Sequence, residues 1–111
     1  MQVSAFVPRA SNAAQADPPT GTVSLAVTAA IQQITLPNAP YATETIARFA
    51  VIGTGPVYWC YGNSASLSTS NGVPQLQNSV ELYGIPRNVT QISVIAAATG
   101  STLSVTIGDG Q

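Results

Sequence analysis

Charge is what this chain of 111 residues has least of: 6% of its side chains are Asp, Glu, Lys or Arg, against about 25% in an ordinary soluble domain. There is no lysine and no histidine; the cations are Arg9, Arg48 and Arg87, and the acids are Asp17, Glu44, Glu81 and Asp109. Each shortage excludes something. Nucleic-acid binding neutralises phosphates with clustered Lys and Arg, and three arginines far apart in sequence are no such cluster, so direct contact with nucleic acid is not expected. One cysteine, Cys60, rules out a disulfide within the chain; between Trp59 and Tyr61 it reads as a small buried apolar residue, not a reactive thiol. Without histidine, a transition-metal site of His and Cys within one subunit is excluded. No run of about 18 apolar residues is present to span a bilayer as a helix, and no membrane contact is expected. Met1–Ala10 has neither a basic start nor a long apolar stretch, so no signal peptide is expected.

The same poverty removes most catalytic chemistry. General acid and base work draws on paired carboxylates or a histidine; Glu44 and Glu81 are the one acid pair that strands can bring together, and the reading is that they do not form a catalytic pair. Serine is abundant, but there is no histidine to activate it and no Gly-x-Ser-x-Gly elbow. Gly53-Thr54-Gly55 lacks the spacing and the following helix of a phosphate loop and reads as a turn. Asn88-Val89-Thr90 matches the glycosylation triplet without a secretion signal beside it. Asp109 among glycines is too little for a calcium site. No catalytic residue, metal ligand or cofactor is expected.

What is present is strand sequence. Glu44–Gly62 is the organising stretch: apolar residues fill both alternating faces from Ile46 to Ile52, Gly53-Thr54-Gly55-Pro56 breaks the run, and Val57–Tyr61 resumes it with three aromatics, which predicts a hairpin. Buried Tyr and Trp need partners for their polar tips, so Tyr58, Trp59 and Tyr61 are not expected all to point inward, and Arg48 is expected on the polar or interface-facing side. Val23, Leu25 and Val27 alternate with Ser24, Ala26 and Thr28, a half-buried strand of an antiparallel sheet. Ile31–Leu36 is a second short strand, ended by Pro37. Asn63–Ser79 is a long polar surface loop with a tight turn at Asn71-Gly72. Val80–Tyr83 and Gln91–Ala97 are expected to pair as successive strands, and Thr102–Ile107 alternates again.

Turn signals about every ten residues and no convincing helix predict an all-β fold, an antiparallel β-sandwich (jelly-roll or Ig-like) of about seven to eight short strands. It occupies 22–111. Residues 1–21 carry Pro8, Asp17-Pro18-Pro19 and Gly21 and read as an extended N-terminal arm outside the core. Either it is a tail without fixed structure or it orders against a neighbouring subunit, anchored by Phe6 and Val7. A surface with net charge −1 resists association poorly, so the chain is expected to live in an assembly that covers its strand edges.

The order of motifs carries a resemblance. A half-polar first strand, then ITLP, a strand with one Arg, a Gly-x-Gly-Pro turn, an aromatic strand ending in Gly, a loop with GVP, then VELYGIP and the closing ISVIAAATGSTLSVTIGDG resemble small virion structural proteins of tailed bacteriophages over roughly Thr22–Gly110. The resemblance implies a non-enzymatic sandwich on the outer capsid surface, a capsid decoration or cement protein. It further implies a homotrimer that bridges major capsid protein subunits, with many weak contacts repeated by symmetry. Residues expected to touch partners are Phe6, Val7 and Arg9 in the arm, Arg48 and Tyr58 in the predicted hairpin, Leu67 and Asn71 in the long loop, and Arg87. Two alternatives stand beside it: a tail, neck or fibre component, and a carbohydrate-binding sandwich for host attachment that stacks sugars on Tyr58, Trp59 and Tyr61.

Overall fold

The structure, a computed structural model, describes residues 7–8, 21–37, 39, 41 and 45–109. All its regular elements are strands: β1 (Val7–Pro8), β2 (Thr22–Val27), β3 (Gln32–Thr35), β4 (Thr45–Gly53), β5 (Val57–Tyr61), β6 (Val73–Gln75), β7 (Ser79–Ile85), β8 (Gln91–Ala96) and β9 (Ser101–Asp109). They form two antiparallel sheets. The first runs β2-β9-β4-β7, with β1 also on β9; the second runs β3-β8-β5-β6. Counted from β2, these are strands one, eight, three and six facing strands two, seven, four and five. That is the connectivity of a jelly roll, a sandwich wound from two Greek keys.

Two expected pairings are therefore corrected. The stretch Glu44–Gly62 is not a hairpin, because β4 pairs with β7 and β9 while β5 pairs with β6 and β8 in the opposite sheet. Nor do β7 and β8 pair, since they too lie in different sheets. Of the consecutive strands from β2 onward, β5 and β6 alone pair with each other. The chain otherwise crosses the sandwich at each turn, so Gly53–Pro56 is a crossover. Its geometry is tight: Gly53 has φ 149° and Gly100 has φ 135°, and the two crossovers touch. Thr54 N donates to Gly100 O at 3.3 Å. The buried Ser101 hydroxyl donates to Gly55 O at 2.6 Å and accepts from Gly55 N at 3.1 Å.

The core is the expected alternation. Ala47, Phe49 and Val51 of β4, Leu103, Val105 and Ile107 of β9, Val57 and Trp59 of β5, and Ile92, Val94 and Ala96 of β8 are all buried between the sheets. Phe49 is central. Its ring lies 4.7 Å from Trp59 and 4.9 Å from Tyr83, and Trp59 in turn lies 4.8 Å from Tyr83 and 5.1 Å from Tyr61. Tilted and edge-on contacts of this kind add about 0.5–1.5 kcal/mol each beyond burial. On the β6–β7 side two polar ties join the sheets: Tyr61 OH donates to Gly84 O at 2.5 Å, and the buried Gln75 amide donates to Phe49 O at 2.8 Å and Ser79 O at 3.3 Å.

The N-terminal region, expected to supply no strand of the core, touches the sandwich at its edge: Val7 and Pro8 pair with Asp109 and Gly108. Proline suits this place because an edge strand does not need every donor. Gly21 O accepts from Ile107 N at 2.9 Å and Thr22 faces Thr106, so β1 and β2 follow one another along the same edge of β9. The expected anchor Phe6 lies outside the described residues, and Val7 is described by its main chain.

Glycine is obligatory at the first crossover. A Cβ on Gly53 would overlap the Gly100 carbonyl and the Ser101 main chain, whereas one on Gly55 meets nothing within 4 Å. Gly53→Ala is expected to destabilise the fold by about 2 kcal/mol or more and Gly55→Ala to be near neutral, as read from urea unfolding midpoints.

Candidate interaction surface

Burying Phe49 decides which side chains of β4 stand outside, because successive residues of a strand face opposite ways. Register extends that choice across the first sheet. Ile46, Arg48, Ala50 and Ile52 of β4 align with Gly108, Thr106, Ser104 and Thr102 of β9, the last three of which align in turn with Thr22, Ser24 and Ala26 of β2; on the other side Gly84, Leu82 and Val80 of β7 face Ile46, Arg48 and Ala50. The resulting outer face has two halves. On β2 and β9 hydroxyls pair across strands, Thr22 with Thr106 at 2.9 Å and Ser24 with Ser104 at 2.8 Å. On β4 and β7 the face is apolar, with Ile52 68%, Val80 50% and Leu82 51% exposed. Arg48 stands between the halves, exposed, with Thr106 on one side and Leu82 on the other.

The outer face of the second sheet is instead covered over β5 and β8 by the chain's own loop, while Gln33 and Thr35 of β3 and Pro74 of β6 stay exposed. Tyr58 and Cys60 of β5 point outward there beside Ile95 and Ser93 of β8. The loop from Gly62 to Gly72 folds back over them. Ser93 is buried beneath it, its hydroxyl donating to Gly62 O at 2.8 Å and accepting from Ser64 N at 2.9 Å. Leu67 is 5% exposed, and a side chain at Gly72 would run into Leu67 and Tyr58. The loop also holds itself: Asn71 accepts from Ser68 N at 2.8 Å and donates from Nδ2 to Ser66 O at 3.0 Å, while Gly72 N donates to Ser68 O at 3.2 Å. Within the stretch expected to be one polar loop, Val73–Gln75 is strand β6.

The residues expected to touch partners are thus scattered. Phe6 and Arg9 lie outside the described residues. Arg48 is on the open face. Tyr58 is half-buried, and Leu67 is buried, under the loop of the other sheet; Asn71 is exposed at that loop's tip. Arg87 is exposed in the turn from β7 to β8. The three aromatics expected to stack sugars form no shared platform: Tyr58 faces outward, Trp59 is 2% exposed in the core, and Tyr61 leans on Trp59. Ile52, Val80 and Leu82 were not among the expected contacts; the apolar filling of both faces of Ile46–Ile52 was the signal for Ile52.

No family model, curated protein or solved structure matched the chain.

The seam beside this face is sensitive to high pH. Burial pushes the Tyr61 phenol above its ordinary 10.0, with Tyr83 adding to the rise. Burial also raises Tyr83; the Trp59 indole N–H, which approaches its hydroxyl without full hydrogen-bond geometry, opposes this, and Glu81 reinforces it. An acid with a raised pKa in the fold holds its proton more tightly than in the unfolded chain. Its contribution is therefore intact below pH 10.0 and is lost as pH rises from there through the folded values. Unfolding midpoints are expected to fall as pH rises above 10.0, less steeply in the Tyr61→Phe, Tyr83→Phe double variant.

Proposed function

We propose that this chain is a non-enzymatic structural subunit of a tailed-bacteriophage virion, a capsid cement or decoration protein on the outer capsid surface. Its partners are the major capsid protein and further copies of itself, arranged as a homotrimer. The observation that supports this reading is the contrast between the two faces. One is covered over β5 and β8 by the chain's own loop. The other presents Ile52, Val80 and Leu82 beside Arg48 with no acid among its outward residues. Large apolar side chains left together on a sheet face favour a protein partner. The scarcity of charge that makes such a chain poorly suited to life as a free monomer suits one whose surface is largely covered.

In this reading the apolar half supplies binding area and Arg48 supplies direction. An Arg ringed by apolar and hydroxyl groups reaches a carboxylate or main-chain carbonyl on the partner in a two-pronged contact. Each subunit contributes modestly, and repetition around a lattice multiplies the effect.

Particle imaging combined with surface variants tests the proposal. Density for this chain is expected on the capsid exterior, with the β4–β7 face turned toward the shell. Ile52→Asp and Leu82→Asp are each expected to weaken co-sedimentation with particles about tenfold or more, because each leaves a buried carboxylate without a partner. Particles that lack this density, or binding unchanged by both variants, would remove the reading.

A further inference from the structure

The outer edge of β7 brings together a free strand, a groove and a charge. Among the described residues β7 pairs with β4 along Ser79–Ile85 and with no strand on its other side. The alternate main-chain groups that turn away from β4 therefore have no ladder partner, although carbonyls at the two ends of β7 accept side-chain hydrogen bonds, Ser79 O from Gln75 and Gly84 O from Tyr61. Proteins guard such edges with proline, lysine, bulges or brevity. The neighbouring edge, β6, is guarded by both brevity and Pro74. β7 is seven residues long, has neither proline nor lysine, and half-exposes Val80 and Leu82.

Beside this edge lies a groove of about 310 Å³, lined in part by Gln75, Ser79, Glu81 and Tyr83. Its polar equipment is short of donors. The Gln75 amide nitrogen is committed to Phe49 O and Ser79 O, and its Oε1 is buried without a partner. A buried acceptor left unpaired is destabilising, and the charged side chain in the lining, Glu81, is negative.

We infer that the β7 edge accepts an added strand from another protein, whose inward-facing residues are basic and whose outward-facing residues are apolar. The pattern follows from the period of two. Inward residues of an added strand fall beside Glu81 and Tyr83, where an opposite charge is favourable across strands. Outward residues fall beside Val80 and Leu82 and widen the apolar half of the open face. A second copy of β7 fits worse, because it brings a carboxylate where the groove calls for a cation. The β2 edge offers no comparable site: its inward residues Val23, Leu25 and Val27 are apolar and its outward residues Thr22, Ser24 and Ala26 carry no charge. This inference concerns a different surface from the broad face, does not depend on the virion reading, and is testable on the free protein.

The probe is a capped heptapeptide alternating valine with arginine, titrated into the full-length, isotope-labelled protein and followed by amide chemical shifts. Shifts confined to Gln75–Ile85 are expected. Replacing arginine by uncharged citrulline in the peptide, or Glu81→Gln in the protein, is expected to weaken binding about tenfold. N-methylating the peptide amides that face β7 is expected to abolish it. Should Glu81→Gln disturb the spectrum elsewhere, the citrulline peptide on the native protein decides. Absence of binding overturns the inference. So does binding indifferent to citrulline and to N-methylation, or concentration-dependent pairing of β7 with β7 in place of peptide binding.

Discussion

The packing of Phe49 between Trp59 and Tyr83 is the constraint on which the outer surface depends. These rings join β4 and β7 of one sheet to β5 of the other, and they fix the phase of β4. A slip of one residue would turn Phe49 to solvent and drive Arg48 into the core, so the register is strongly specified. Once Phe49 is inside, Arg48, Ala50 and Ile52 are outside without any further selection on their positions. The same holds on β9, where burying Leu103, Val105 and Ile107 presents Thr102, Ser104 and Thr106. The open outer face is the complement of the core, written into the same strands.

That logic marks what was legible in the sequence. Alternation located β2, β4, β5 and β9 closely, because Val23-Leu25-Val27 and Leu103-Val105-Ile107 follow the period of a strand with one buried face. Pairing was not legible. Gly-Thr-Gly-Pro permits a tight reversal within one sheet as readily as a step to the opposite sheet, and what decides between them lies far away in sequence, at Gly100 and Ser101 against the crossover. β6 was missed because Val-Pro-Gln carries no alternation and sits among serines. Its place is set by Gln75, whose side chain finds the Phe49 carbonyl across the sandwich. Leu67 read as a surface residue of a polar loop; in the structure it is the apolar pin that holds that loop down.

The two outer faces solve the same problem differently. With 6% charged residues, neither face has the solvated Lys and Glu that ordinarily cover a sheet. The second sheet uses chain: the Gly62–Gly72 loop holds Ser93 with the main chain of Gly62 and Ser64 and pairs its own serine hydroxyls with one another. The first sheet uses side-chain hydroxyls on its β2–β9 half, where Thr and Ser satisfy each other across strands. The β4–β7 half has neither device. Burying a large aliphatic side chain fully is worth about 1.5–3 kcal/mol relative to leaving it in water. For the partly exposed Ile52, Val80 and Leu82 only part of that remains to be gained. Such a patch gives a modest contact alone and a strong one when repeated.

Large apolar side chains show in two places, at Ile52, Val80 and Leu82 on β4 and β7 and at Val73 and Leu76 at the ends of β6. A chain with so few charges cannot rely on repulsion to prevent wrong contacts, so its directionality rests on where apolar groups and free main chain are allowed to show. Pro74 and a three-residue length close the β6 edge, and the loop covers β5 and β8 behind it. What stays open on the first sheet is contiguous: the apolar rows of β4 and β7, and the edge of β7 that bounds them. A partner that engages both the face and the edge must approach from one side and in one orientation, because the face sets the plane of contact and the edge sets the strand direction. A single Arg48 and a single Glu81, one on the face and one at the edge groove, then carry enough charge to distinguish a matching partner from a mismatched one, since in apolar surroundings an unmatched charge costs more than it does on a hydrated surface.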